Sequence, residues 1–292
     1  MRVVIDTNRL QSEELRLFLS GDRDNLAVLP EHTVTEIFKP NSVDAVVTSF
    51  SVLGAFPKQV MLLHSNRNVA LISPRGGALA NRLIDRKTTR ELPKFFEVLT
   101  KAAAGCEGYR RQLDQRRTWA LEREQMIQES FGDQSESLAD LAAMFTDHEL
   151  RQIRSGKPIS ARALQTILQV TDGAANQVHF QRTGYALHPP PYLYYQFTWR
   201  YALCHVIQLM NLLQKGATRR APAKARNDHF DNVFATYGTY FNGLMTDDRG
   251  PLQTQHIARI VLGDLGVRLT NDYVDSKYIL SLLDKAADEA SR

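Results

Sequence analysis

The chain has 292 residues, 43% hydrophobic and 23% charged, with a net charge of +4. That length buries one sizeable core, or a core with an appended module, and no stretch approaches the roughly 20 apolar residues that cross a bilayer. The opening MRVVIDTN carries an aspartate at position 6, where a secretory signal needs apolar residues, which predicts a cytoplasmic protein. Two cysteines, Cys106 and Cys204, exclude a disulfide framework or a cysteine zinc site and predict reduced, inert thiols.

In chain order, VVID (3–6) is a β-branched run ending on an acid, a buried-strand pattern too brief for a helix. TNRLQSEELRLFLSG reads as a helix with early acids and a glycine stop. LAVL (26–29) is a second strand, followed by Pro30 and a helix from about Thr33. Residues 42–64 read as one long or broken helix and NVALIS (68–73) as a third strand. Strands alternating with helices indicate a parallel sheet. From about 78 to 215 the pattern is helical, with candidates at KTTRELPKFFEVLTKAAAG, GYRRQLDQRRTWALEREQMIQESFG, SLADLAAMFTDHELRQIRSG and SARALQTILQVTDGAANQVHFQRTG. A proline block then forbids helix before the apolar stretch that ends at MNLLQKG. After the linker ATRRAPAKARN the alternation resumes: helix DHFDNVFATYGTYFNG, strand LMT, helix LQTQHIARIVLGDLG and a last strand candidate VRL (267–269). The expectation is an α/β fold built from residues 1–74 and 226–292, interrupted by a mostly α-helical insertion over 75–225 that projects from one side of the sheet.

Charge is segregated along the same boundaries. Residues 75–226 hold 23 Lys+Arg against 14 Asp+Glu, and the remainder 13 against 18. An acidic shell around a basic middle suits cation binding in one part and polyanion binding in the other; solvated helix faces are the plainer alternative.

Each acid of interest has a structural explanation when taken alone. Asp6 can cap the following helix. Glu36 closes TVTE, a capping-box pattern reaching back to Thr33. Asp231 lies in what reads as an early helical turn, favoured by the macrodipole, and Asp247 with Asp248 can form a solvated turn. Taken together, Asp6, Glu36 and the 247–248 pair all follow strands, and in a parallel sheet those ends share one edge where ligand sites form. Carboxylates without interleaved cations make an oxygen cage for Mg²⁺ or Mn²⁺.

The blocks VVIDTNRL, PEHTVTEIFK and DNVFATYGTYFNGLMTDD, in that order, resemble those of the PIN-domain nucleases. The resemblance covers about half the chain and implies a PIN-like parallel sheet flanked by helices, with acids gathered around divalent metal to cut RNA or, in related branches, DNA. It maps the catalytic acids onto Asp6, Glu36, Asp231 and Asp248, with Asp247 an extra neighbour that leaves the last metal ligand ambiguous. Thr7 and Thr246 are then candidates to hold water or phosphate, and Asn8 to fix the turn beyond Asp6. The large insertion departs from the small members of the family.

In the insertion, Arg110, Arg111, Arg116 and Arg117 offer a basic helix surface, to which Arg219, Arg220, Lys224 and Arg226 of the return linker add; pairing with Glu107 and Asp114 is the alternative. YLYYQFTWRY reads as a stacking platform or, more simply, as a core helix. The expected function is a metal-dependent nuclease, an endoribonuclease before a DNA structure-specific enzyme. A nucleic-acid-binding or assembly module with an idle site is the alternative. Partners in keeping with this are nucleic acid, a second copy of the chain through apolar insertion helices, and an inhibitory or activating protein; a membrane is not expected.

Overall fold

A computed structural model describes residues 1–39, 42–75, 78–129, 135–155, 159–218 and 222–273. The strands are β1 (Arg2–Ile5), β2 (Leu26–Leu29), β3 (Val60–Leu62) and β4 (Leu244–Met245). They form one parallel sheet in the order β3-β2-β1-β4. Between β1 and β3 lie α1 (Glu13–Gly21), α2 (Glu31–Ile37), α3 (Val43–Ser49) and α4 (Ser51–Ala55). The middle of the chain supplies α5 (Asn66–Val69), α6 (Leu79–Arg82), α7 (Arg86–Ala103), α8 (Glu107–Glu129), α9 (Ser135–Ala143), α10 (Asp147–Arg154), α11 (Ala161–Thr183) and α12 (Phe197–Gln214). α13 (Pro222–Gly238) precedes β4, and α14 (Arg249–Asp264) follows it.

The sheet is buried on both faces, as a parallel sheet must be, and its side chains divide by the period of two. Val3, Ile5, Ala27, Leu29, Val60 and Leu62 join one core with α1, α3, α7 and α8. Val4, Val28 and Leu244 join another with Val69 of α5 and Val233, Phe234, Tyr237 and Phe241 after the same alternation. Truncating one of these, such as the fully buried Ile5, to alanine costs roughly 2–5 kcal/mol. Gly243 turns the chain from α13 into β4 with φ of +106°, a conformation glycine alone takes freely, and its carbonyl accepts from Val4 N at 3.0 Å.

Several sequence expectations are corrected. The third strand is Val60–Leu62, not 68–73; Ser65 accepts from the Asn68 amide and starts α5 instead. Both stretches are short and apolar, and periodicity does not separate them. VRL makes no strand among the described residues: Val267 packs against α12 and α14, its amide donating to Leu262 O. The helical middle does not simply project. α7 and α8 contribute Leu92, Phe96, Leu99, Leu113 and Ala120 to the sheet's own core, whereas α9 to α12 build further cores of their own and with α14. α12 is a core helix, its Trp199 fully buried and donating to Asp172 Oδ1 at 2.7 Å. Among the described residues no helix is long and apolar enough to cross a membrane.

Candidate functional site

The register of β1 and β4 pairs Ile5 with Met245, so the next residues, Asp6 and Thr246, emerge side by side at the carboxyl edge of the sheet. Thr246 Oγ1 donates to Asp6 Oδ2 at 2.5 Å, and the Thr7 amide donates to Asp6 Oδ1 at 2.6 Å. Asp6 is therefore both the expected cap and a fixed, 7% exposed acid. Asn8 ties the two loops together. Its Nδ2 donates to Thr246 Oγ1 and Asp248 Oδ2, both at 3.2 Å, and its Oδ1 accepts from the Asp247 amide at 3.2 Å.

Pro30 ends β2 and α2 starts at once, at Glu31 rather than near Thr33. Glu36 is consequently too far along for a capping box. It accepts from Thr7 Oγ1 and lies 3.3 Å from His32 Nε2 and 3.6 Å from Lys39 Nζ. α13 likewise starts at Pro222, which places Asp231 in its third turn, beyond reach of the N-terminal dipole. The structural explanations for Glu36 and Asp231 thus fail, and the length of α13 supplies the placement of Asp231.

Asp6, Glu36, Asp231 and Asp248 all line one open cleft of about 590 Å³, with Thr7 and Asn8 on its wall and Asp228, Lys224 and Arg249 also facing it. Asp247 does not line it; its Oδ1 meets the buried Arg9 guanidinium at 3.3 Å, which also binds Glu14 at 2.8 Å. Of the two adjacent aspartates, Asp248 is the one that lines the cleft. Of the predicted cations among the described residues, Lys224 alone lines the cleft. Arg226 is half-buried elsewhere on α13, and Arg219 and Arg220 lie outside the described residues. Arg111 is exposed on α8, and Arg117 half-buried. Arg110 donates to Ala102 O at 3.0 Å, and Arg116 covers the Phe95 ring at 5.2 Å. Those two are partly spent on holding α8 to α7.

Electrostatics set the acids apart. Burial pushes the Asp231 carboxyl up to about 7, and Asp248, Asp6, Asp228 and Glu36 push the same way. Among the described residues no donor or cation meets it. Burial also raises Asp6 to about 6, against the pull of Thr246 and Thr7 and with the repulsion of Glu36 and Asp248. For Glu36 burial is outweighed by the hydrogen bond and charge of His32, by Thr7 and by Lys39, and its carboxyl falls to about 2. Asp247 and Asp248 are both exposed, as a solvated turn leaves them, whereas Asp6 is buried and Glu36 and Asp231 are half-buried beside them.

The donor set suits a hard divalent cation. It is all oxygen, and among the described residues no salt bridge reaches Asp6, Asp231 or Asp248. Each Asp6 oxygen accepts one hydrogen bond, which leaves lone pairs for a ligand. Among the described residues, however, no three acidic, histidine or cysteine side chains stand close enough to form a finished metal cage; the acids act on one another by charge across the cleft. Comparison with protein-family models, curated proteins and solved structures finds no match.

His32 is the neighbour that sequence reading passed over. Four residues before Glu36 on one helix face, it had a legible spacing. It is 5% exposed and stacked on Phe230, ring centroids 3.4 Å apart. His229, two residues from Asp231, faces away toward Tyr201, whose hydroxyl lies 2.5 Å from its Nδ1. Burial, with His32, His205 and Arg182, lowers it to about 3, so it stays neutral at working pH.

Proposed function

We propose that the chain is a divalent-metal-dependent phosphodiesterase acting on nucleic acid, an endoribonuclease in the first instance, and that its α/β fold is PIN-like. The supporting observation is the arrival of Asp6, Glu36, Asp231 and Asp248 from four separate elements in one cleft, with the half-buried Asp231 among like charges and unpaired among the described residues. A site that only needed stability would place a cation or an amide there.

In this reading Asp6, Asp231 and Asp248 hold Mg²⁺ or Mn²⁺, and Glu36 orients water through its oxygens. Held by these residues, a divalent metal would supply a nucleophile at neutral pH and would neutralise charge on the phosphoryl oxygens and leaving group. Thr246 and the Thr7 amide keep Asp6 in one rotamer, and Asn8 locks the 246–248 loop against the 6–8 loop, so two ligands are positioned as a unit. Lys224 and Arg249 offset the negative field that would otherwise repel a phosphodiester.

The absence of a finished cage among the described residues favours one second reading, a nucleic-acid-binding or assembly module with an idle site. Labelled single-stranded RNA and DNA, incubated with wild type and Asp6→Asn in Mn²⁺, Mg²⁺ or EDTA, decide between them. The proposal expects metal-dependent cutting, RNA before DNA, that the variant loses. Folded wild type that binds strands and never cuts them would leave the module.

A further inference from the structure

A second cavity, of about 520 Å³, lies beside the acidic cleft between α2, α5, α8, α11, α12 and α13, and the two share His32 and Phe230 as wall residues. Its character is the reverse of its neighbour's. Arg67, Arg123 and Arg182 line it from three different helices, and Glu31 is the acid that faces them. Glu31 Oε1 is 3.4 Å from Arg123 Nε, and its Oε2 accepts from the Asn66 amide at 3.3 Å. Arg67 and Arg182 are exposed and have no acidic partner among the described residues. The surplus charge is positive.

The wall also carries the rings of Phe197, Tyr201 and Phe230 and the imidazoles of His32, His179 and His229, among smaller apolar and hydroxyl side chains. His179 is 8% exposed and His32 5% exposed, and the Nδ1 of each is shut off from solvent with no hydrogen-bond partner among the described residues. The volume lies in the 300–1,000 Å³ range of small-molecule sites. Guanidinium groups select phosphate, and flat rings select a base.

We propose that this cavity binds one phosphate-bearing nucleotide, its phosphate held by Arg67 and Arg182 and its base against Phe197 and Tyr201, one side-chain layer from the carboxylates. The site would seat one unit of a strand so that a neighbouring phosphodiester reaches the cleft. That last step rests on the phosphodiesterase reading; the binding itself does not.

The test is calorimetric titration in EDTA, where no cleavage occurs, of AMP, adenosine, inorganic phosphate and the pentanucleotide rA5 into wild type. The same ligands are then titrated into the Arg67→Ala/Arg182→Ala double variant and into Asp231→Asn. AMP should bind at least tenfold more tightly than adenosine or phosphate, the double variant should lose at least tenfold with an unchanged Tm, and Asp231→Asn should keep or improve the affinity. If rA5 binds more tightly than AMP and is equally weakened by the double variant, the source is a strand; equal affinities identify a free nucleotide, and either supports the cavity. No binding of AMP or rA5 by wild type, or undiminished binding by the double variant, overturns it. Nucleotide binding without any metal-dependent cutting would remove the phosphodiesterase reading and leave this site standing.

Discussion

The buried Arg200 and the half-buried Asp231 lie on helices α12 and α13, which pack against each other, and their surroundings differ completely. The Arg200 guanidinium donates to Tyr194 O and Thr239 O, each at 2.8 Å, and to Thr239 Oγ1 at 3.1 Å, with the Tyr240 ring 4.0 Å from its carbon. Arg259 is treated alike, donating to Gly238, Phe241 and Thr270 carbonyls beside Asp272. Asp231 has a fourfold acidic neighbourhood and no donor among the described residues. Buried polar groups in folded proteins are normally satisfied, and Arg200 and Arg259 follow that rule through backbone carbonyls. In the proposed reading, a bound cation would supply at Asp231 what the described residues do not.

The comparison breaks most visibly at Arg200. Replacing it by methionine keeps the volume but strands three acceptors and a ring face, and should cost about 3 kcal/mol of stability in urea unfolding. A loss below about 1 kcal/mol would show that the cation is tolerated rather than structural.

Next in size is the pH dependence of the metal-free protein. Asp6 and Asp231 have folded pKa values near 6 and 7, above those of an unfolded aspartate, so between about pH 4 and 7 the folded state binds more protons. Stability then falls as pH rises through that window, by about 2 kcal/mol or more in the absence of metal. Glu36, depressed to about 2, acts oppositely: its stabilising contribution is present above about pH 4.5 and is lost toward pH 2. Thermal melts in EDTA should therefore peak near pH 4–5. A melting temperature that climbs steadily to pH 8 would contradict the raised acids.

Asp231→Asn sharpens the same point, because an amide of equal shape removes one buried charge. The metal-free variant should gain about 1 kcal/mol at pH 8 while losing function, the usual sign of a residue kept for activity; a less stable variant would mean that Asp231 has a structural partner. The smallest effect is expected at Asn8→Ala, which unties the 6–8 and 246–248 loops. Stability should change by less than about 1 kcal/mol, while any metal-dependent cutting should fall roughly tenfold. Unchanged cutting would show that the tie does not position Asp6 and Asp248.

How far the sequence announced this can be followed residue by residue. Asp6 and Asp248 were legible because each follows a short β-branched or apolar run, and parallel strands carry such ends to one edge. Glu36 was legible only as one of two readings, since TVTE fits a capping box equally well; the helix start at Glu31 decided it. Asp231 was found by its block, but its placement depended on α13 beginning within the proline-containing linker. The third strand was misplaced because VML and NVALIS carry the same local signal, and only pairing with β2 tells them apart. The second cavity was invisible: Arg67, Arg123 and Arg182 are far apart in sequence, and tertiary packing alone brings them together.

The central claim is that the acidic cleft is completed by a divalent cation, and calorimetric titration of Mn²⁺ into metal-free wild type and Asp231→Asn at pH 7.5 tests it most directly. The account predicts saturable binding to wild type with release of protons, because Asp231 and Asp6 must ionise fully, and a loss of affinity of at least tenfold in the variant. No binding to folded wild type, or equal binding to both proteins, would contradict it.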